Sequence, residues 1–364
     1  MRVLFLSRLF YPHIGGVEKH VVEVSRRLIK LGHEVTVVTE ILPQQFKIQN
    51  SKIEGITVLR VNAGRDGYFK KFRIWREIFK NRKLIQDADV VHAHDVFFWY
   101  LPFRFLYPSK KIFTTFHGYE GDKIPGFKAK LMHKIAEKLS HGNICVGEFL
   151  KKWYGTKPNY VTYGAVKIPK FKLQITNKFQ IQNSRPRQDF GGQAKQKILF
   201  LGRLEEETGI MEYLKALRLL KEKNYKFEVT VLGDGSLFKK AEKFSKKHKI
   251  KAFFKGFVPN IDPYLKKSDF IFTSRYLGIL EALSFQKLIF AAYNNEIKKD
   301  YLQMAPFAKY ISISPNYRIL YDQINYYLRH EKKRNQMIDQ GFEWVKNETW
   351  KKMAEAYLKL WKKN

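Results

Sequence analysis

Short apolar runs, each ending in a turn and followed by a helical pattern, recur along this chain. No other feature constrains its fold as much. The clearest case is Lys197–Ile210. Ile198–Leu201 is an apolar run of the kind that forms a buried parallel strand. Gly202 ends it, Arg203 follows at once, and a helical pattern starts near Gly209 with Ile210, Leu214 and Leu217. This is strand, turn and helix, with a cation at the strand's carboxyl end. Open α/β sheets bind ligands at that edge, and a helix N-terminus there favours anions such as phosphate.

The N-terminal half repeats the theme. Strands are expected at Val3–Leu6, Val35–Thr39, Ile56–Val61, Asp89–His92, Ile112–Thr115, Asn143–Val146 and Tyr160–Thr162. Val17, Val21, Val24, Leu28 and Leu31 form one apolar helical stripe, stopped by Gly32. The connections are long enough for crossover helices, so a parallel sheet covered on both faces is the economical fold. From Lys170 to Gln196 the pattern gives way to a polar stretch rich in Gln, Asn, Lys and Arg. The alternation then restarts at Ile198–Leu201, Phe227–Leu232, Ala252–Phe254, Asp269–Thr273, Leu288–Ala291 and Tyr310–Ile313. The fold class is therefore α/β, with two Rossmann-like, doubly wound domains in series. The expected boundaries are 1–170 for the first domain, 171–196 for a linker or mobile loop, 197–343 for the second domain, and 344–364 for a terminal helix. That helix is aromatic and amphipathic, with Trp344, Trp350, Met353, Tyr357, Leu360 and Trp361.

Composition narrows the function classes. No apolar run approaches the roughly 18 residues that span a bilayer. Residues 1–8 read as a first strand rather than a signal peptide. Cys145 is the only cysteine, which excludes an internal disulfide and a cysteine metal cluster and points to the cytoplasm. Lys and Arg number 68 against 34 acids, a net charge of +34. Such a field attracts nucleic acid, anionic lipid or phosphorylated substrates, and a solvated lysine-rich surface would give the same count.

Candidate chemistry sits in loops at the carboxyl ends of the expected strands. Gly15 and Gly16, after Pro12, can bring backbone N–H groups close to a ligand. His117-Gly118-Tyr119-Glu120 follows a strand and offers hydrogen bonding or acid–base chemistry. Gly233-Asp234-Gly235 is a second glycine turn beside the Gly202-Arg203 loop, and Glu281 is expected at or near a helix start, where it could bind a ribose diol. The run His92-Ala93-His94-Asp95 could bind a metal, but no third ligand cluster is visible, and no metal site is assigned.

Taken in order, these motifs resemble the retaining glycosyltransferases of family 4. The motifs are Gly15-Gly16, His117-Gly118, Gly202-Arg203-Leu204 with Thr208-Gly209, Gly233-Asp234-Gly235 and Glu281-Ala282. The resemblance extends over nearly the whole chain and includes Asp89–His92 and Phe254–Val258 before Leu265–Asp269. It implies the GT-B fold, two Rossmann-like domains facing a cleft, with a C-terminal helix crossing back onto the first domain. It implies a nucleotide sugar, linked to UDP or GDP, as co-substrate, with no other cofactor and no metal. By the same resemblance His117 touches the transferred sugar, and Arg203 binds the diphosphate. Gly15 and Gly16 lie under the diphosphate and reacting centre. Gly202, Thr208, Gly233, Gly235, Gly278, Ile279, Leu280 and Glu281 line the donor, Glu281 at the ribose. His94, Tyr119 and Glu120 stand on the acceptor side. The implied function is hexosyl transfer to a glycan or lipid-linked acceptor, with retention, in cell-surface glycan synthesis.

Three positions depart from the family pattern. Thr208 stands where a lysine is usual, Thr273 replaces the first acid of the Glu-x7-Glu pair, and Tyr163-Gly164 replaces Asn-Gly. A catalytically weak or inactive nucleotide-sugar-binding protein of the same fold is the alternative these departures raise. Phe72, Trp75 and Phe79 share one face of the basic stretch 68–80. That pattern fits a helix in an anionic membrane surface, hence a peripheral protein on the inner face, and equally a core-packed helix with a solvated basic side. Nucleic acid is not an expected partner, since no recognised nucleic-acid module is present.

Overall fold

The computed structural model describes residues 1–13, 15–41, 50–64, 67, 69–118, 124–169 and 195–363. They form two units: Met1–Ala165 with Trp350–Asn364, and Val166–Thr349.

The sheet of unit 1 contains β1 (Arg2–Ser7), β2 (Glu34–Glu40), β3 (Asn50–Ile53), β4 (Ile56–Val61), β5 (Val90–His94), β6 (Ile112–Phe116), β7 (Gly142–Val146) and β8 (Tyr160–Thr162). Their order is β3-β4-β2-β1-β5-β6-β7-β8, and every pairing is parallel except β3 with β4. Every residue of β5, β6 and β7 is buried, as central strands covered on both faces require. β3 escaped the sequence pattern. It joins β4 through Glu54 and Gly55, whose φ values of 51° and 86° make the tight hairpin turn that matches strand twist.

The helix Gly16–Lys30 follows β1 and ends at Gly32, whose φ is 80°. Its buried face differs from the expected stripe. Leu31 is exposed and Val17 half-buried, whereas His20 and Ser25 are buried with Val21, Val24 and Leu28. The reason is a second partner: this helix packs on the sheet and on the terminal helix Trp350–Lys363, so its buried arc is wider and includes polar positions.

Unit 2 holds β9 (Gln196–Leu201), β10 (Phe227–Leu232), β11 (Ala252–Gly256), β12 (Phe270–Phe272), β13 (Leu288–Ala292) and β14 (Ser312–Ser314), in the order β11-β10-β9-β12-β13-β14. All pairings are parallel, which is the doubly wound Rossmann order with its reversal between β9 and β12. β14 starts later than expected because Pro306–Tyr310 forms a 3-10 turn. The division at the terminal helix falls later than 344. Trp344 packs on Phe307 and Tyr310 within unit 2, at ring distances of 5.9 and 6.1 Å, and only Trp350–Lys363 joins unit 1. At the other crossing, Val166 pairs with Thr349 and belongs to unit 2, and 170–194 lies outside the described residues.

Candidate functional site

In unit 2 the strand order reverses between β9 and β12, so the loops leaving these two strands flank the crevice where open α/β sheets take ligands. The β9 loop carries Gly202 and Arg203, and then a 3-10 turn, Glu206–Thr208. Gly209, at φ 78°, redirects the chain into the helix Ile210–Glu222. The β12 loop is only Thr273-Ser274-Arg275 before the helix Tyr276–Ser284.

Two arginines meet here on one carboxylate. Glu207 Oε1 accepts from Arg203 at 2.8 Å and from Arg275 at 3.3 Å. The Glu207 side chain is buried, whereas that of Arg203 is 59% exposed. Burial pushes the Glu205 carboxyl up, but hydrogen bonds from Ser236 and the charges of Arg203 and Arg275 outweigh it and hold its pKa below the usual carboxylate value. Glu205 and Glu207 thus both answer the charges of Arg203 and Arg275, and an anion arriving here competes with these carboxylates for the two guanidinium groups.

The other donor-side residues divide by what they touch. Thr208 is buried, and its Oγ1 lies 2.6 Å from the Arg203 carbonyl and 2.7 Å from that of Glu205, so it braces the loop from inside. Gly233 is needed for packing: a Cβ there would meet the Gly202 carbonyl at 1.8 Å, and Gly235 is pressed on the Leu204 carbonyl in the same way. Gly278, Ile279 and Leu280 are buried in the helix after β12, Gly278 against Thr273. The Ile279 and Leu280 side chains therefore belong to the core. Glu281 is half-buried and sits mid-helix rather than at the helix start, because the helix already begins at Tyr276. Thr273 is fully buried with a hydroxyl that has no protein partner.

In unit 1 the corresponding reversal lies between β1 and β5. β5 and β6 bring His92, His94, Thr115 and His117 to one side, where His20 and the terminal helix cover them. Trp361 Nε1–H donates to His92 Nδ1 at 3.0 Å. A tryptophan nitrogen only donates, so neutral His92 carries its proton on Nε2, which donates to Thr115 Oγ1 at 2.8 Å. The Tyr357 hydroxyl lies 2.8 Å from Thr115 Oγ1 and 2.9 Å from His20 Nε2. His94 Nδ1 lies 3.0 Å from His117 Nε2, the His117 N–H donates to Asp95 Oδ1 at 2.8 Å, and His20 stands edge-on to His117 with centroids 4.9 Å apart.

Burial holds His20 down to about 3 and holds His92, His94 and His117 well below the ordinary histidine value, with neighbouring histidines adding to the effect for these three. The cluster is thus neutral at physiological pH, built to position hydrogen bonds rather than to hold charge. His94 Nε2 is buried without a protein partner. Among the described residues no group of three or more His, Cys, Asp or Glu has a metal-holding arrangement. Gly15 caps the helix Gly16–Lys30 beside Glu18, which His13 also contacts at 3.1 Å. Tyr119 and Glu120 lie outside the described residues.

The sequence pattern missed Glu207, Arg275, His20, Thr115 and Tyr357. His20 gave one usable signal, since it interrupts an apolar face.

The chain matches the model of glycosyltransferase family 4 over residues 14–158 and that of glycosyl transferases group 1 over residues 183–344. The Schizosaccharomyces pombe phosphatidylinositol N-acetylglucosaminyltransferase gpi3 subunit is 33% identical over 92 residues, 24% of this chain and 20% of that one. An uncharacterized glycosyltransferase of Methanocaldococcus jannaschii is 24% identical over 256 residues, 69% of this chain and 64% of that one. The matches thus span a fifth and just under two thirds of these relatives. Among solved structures, a glycosyltransferase from Rickettsia africae superposes with a TM-score of 0.71 at 18% identity, covering 100% of this chain and 98% of that one. Anabaena HepE, in complex with UDP and glucose, gives 0.70 at 13% identity, covering 98% and 99%. With two Rossmann-like parallel-sheet units and both family models matched in order, this chain belongs to the GT-B glycosyltransferases of family 4, group 1.

Proposed function

We propose that this glycosyltransferase moves a hexosyl group from a UDP- or GDP-sugar to a lipid-linked or glycan acceptor of the cell surface, with retention at the anomeric carbon. The observation that carries this reading is the Arg203–Glu207–Arg275 group at the reversal of the unit 2 sheet. As the glycosidic bond to the donor breaks, negative charge grows on the leaving diphosphate, and a guanidinium held there stabilises it more in the transition state than in the ground state. That charge can be met without a metal, so turnover in excess chelator should equal turnover without it. In unit 1, His117 is neutral and able to hydrogen-bond a sugar hydroxyl. Retention is the usual course of the family and is read from the anomeric proton coupling of the product.

Relatives support the donor and acceptor classes. HepE binds UDP and glucose in one solved structure and UDP-glucose in another, and the gpi3 subunit's name puts an inositol phospholipid beside N-acetylglucosamine. A membrane surface as partner is supported by the helix Lys70–Lys80, which buries only Ile74 and Ile78. Of the expected face, Phe72 and Phe79 are exposed by 45 and 48%, joined by Phe69 at 65%, beside Lys71, Arg73, Arg76 and Lys80, whereas Trp75 is half-buried and donates to the Phe98 carbonyl at 3.0 Å. No helix among the described residues is long and apolar enough to cross a membrane. The protein would act peripherally, at the inner face.

A thermal-shift panel of nucleoside diphosphates and their sugars, without metal, tests the donor reading. Ligand at about 100 times its Kd should add about 2.7 kcal/mol of stability. A flat panel would favour the reading of a protein that has lost its donor site. Binding equal on phosphatidylcholine and phosphatidylglycerol vesicles would remove the membrane partner.

A further inference from the structure

We propose that Arg275 is the second cation of the diphosphate site, carried in from β12 to the place that Thr208 leaves without charge. The inference rests on the nucleotide-sugar reading and extends it to a residue outside the family pattern.

Thr208 cannot serve. Its side chain is 2% exposed and turned onto the carbonyls of its own loop. The replacement must come from a neighbouring strand end, and β12 is the strand paired with β9 on that side. Arg275 is the last residue before the helix that follows β12, and its guanidinium reaches the same Glu207 oxygen as Arg203.

Its backbone is fixed from three directions. Ser274 Oγ donates to the Thr208 carbonyl at 3.0 Å, which ties the β12 loop to the residue that lost the lysine. The buried Lys298 donates its Nζ to the Ser274 carbonyl. Tyr276 donates its N–H to the Tyr301 hydroxyl at 3.0 Å, and the two rings stack 3.8 Å apart. Burial, with the charges of Arg275 and Arg203, lowers the Lys298 pKa well below the ordinary lysine value, against the pull of Glu207, and its Nζ serves as a strut on the Ser274 carbonyl.

The two arginines differ usefully. The Arg203 side chain is 59% exposed and can follow a ligand, whereas that of Arg275 is 26% exposed and already held. A diphosphate arriving over the pair meets two guanidinium forks and exchanges with the Glu207 carboxylate that both hold. Guanidinium forks match phosphate oxygens in pairs, which a single lysine cannot do.

The test is a titration of UDP, GDP, uridine and guanosine into wild type, Arg203→Ala, Arg275→Ala and Arg275→Gln. The unliganded melting point of each protein is recorded as a folding control. Loss of one charge-assisted contact should weaken diphosphate affinity about ten- to a hundredfold in both Arg275 variants. Affinity for the matching nucleoside should change by less than about twofold, since the nucleoside lacks the phosphates. A partial return of diphosphate affinity in Arg275→Ala with Thr208→Lys would add support from the family's own arrangement. Arg275 variants that bind diphosphate as tightly as wild type, or that lose nucleoside and diphosphate equally, overturn the proposal. If Arg203→Ala alone weakens binding, the donor reading survives and only Arg275 falls. If wild type binds no nucleoside diphosphate, both fall together.

Discussion

The two sheets reverse direction at equivalent points, yet the edges they present are chemically opposite. At β1 and β5 of unit 1 the chain gathers His20, His92 and His94, buried and neutral under Tyr357 and Trp361, with the half-buried His117 against His20 and His94. At β9 and β12 of unit 2 it sets Arg203 and Arg275 around a single carboxylate, with Arg203 open to water. The sheet decides where a ligand can lie, and the few residues after each strand decide what kind. A neutral, enclosed network fixes the direction of hydrogen bonds. An open pair of guanidinium groups attracts and holds an anion.

Four experiments put that contrast to the test. Trp361→Ala should cost about 3–5 kcal/mol, since Trp361 is 3% exposed, and the cost should fall on unit 1 alone. Urea unfolding with hydrogen exchange reads it, and equal losses in unit 2 amides would end the treatment of the edges as independent. Arg203→Ala should reduce nucleoside diphosphate affinity by about 1.5–3 kcal/mol by calorimetry, with the unliganded melting point unmoved. Acid should separate the units next. A histidine held neutral in the folded state takes up its proton on unfolding, so its contribution is present above the unfolded value near 6.5 and is lost as pH falls toward the folded value, about 3 for His20. His20 should cost unit 1 about 1.4 kcal/mol per pH unit in that window, and His92, His94 and His117 act in the same direction. The histidines of unit 2, His248 and His330, are not buried, and His20→Gln should flatten the slope in unit 1. The smallest effect expected is His117→Ala, which should lower kcat about tenfold with the fold intact. Unchanged kcat would confine His117 to a packing role.

Much of the architecture was legible because parallel strands announce themselves as short apolar runs. Arg203 was legible too, since it follows its strand directly. Arg275 also follows a strand, but only the β9–β12 pairing reveals that it shares Glu207 with Arg203. Tyr357 and His20 meet across a large separation in sequence, which no local pattern encodes. Gly233 and Gly235 looked like ligand-facing turns, and the structure gives them to loop-on-loop contact. Glu281 was expected at a helix start, and the short β12 loop moved that start back to Tyr276.

The terminal helix has a consequence for how this protein is made. Unit 1 is interrupted: its first part ends at Ala165 and its last helix begins at Trp350, after all of unit 2. At a synthesis rate of about 5–20 residues per second, roughly 10–40 s separate the completion of that first part, with Phe5, His20 and His92, from the synthesis of Tyr357 and Trp361, which cover them. The unit that begins first is thus the one completed last, and its uncovered aromatic face is the surface a nascent-chain chaperone would meet.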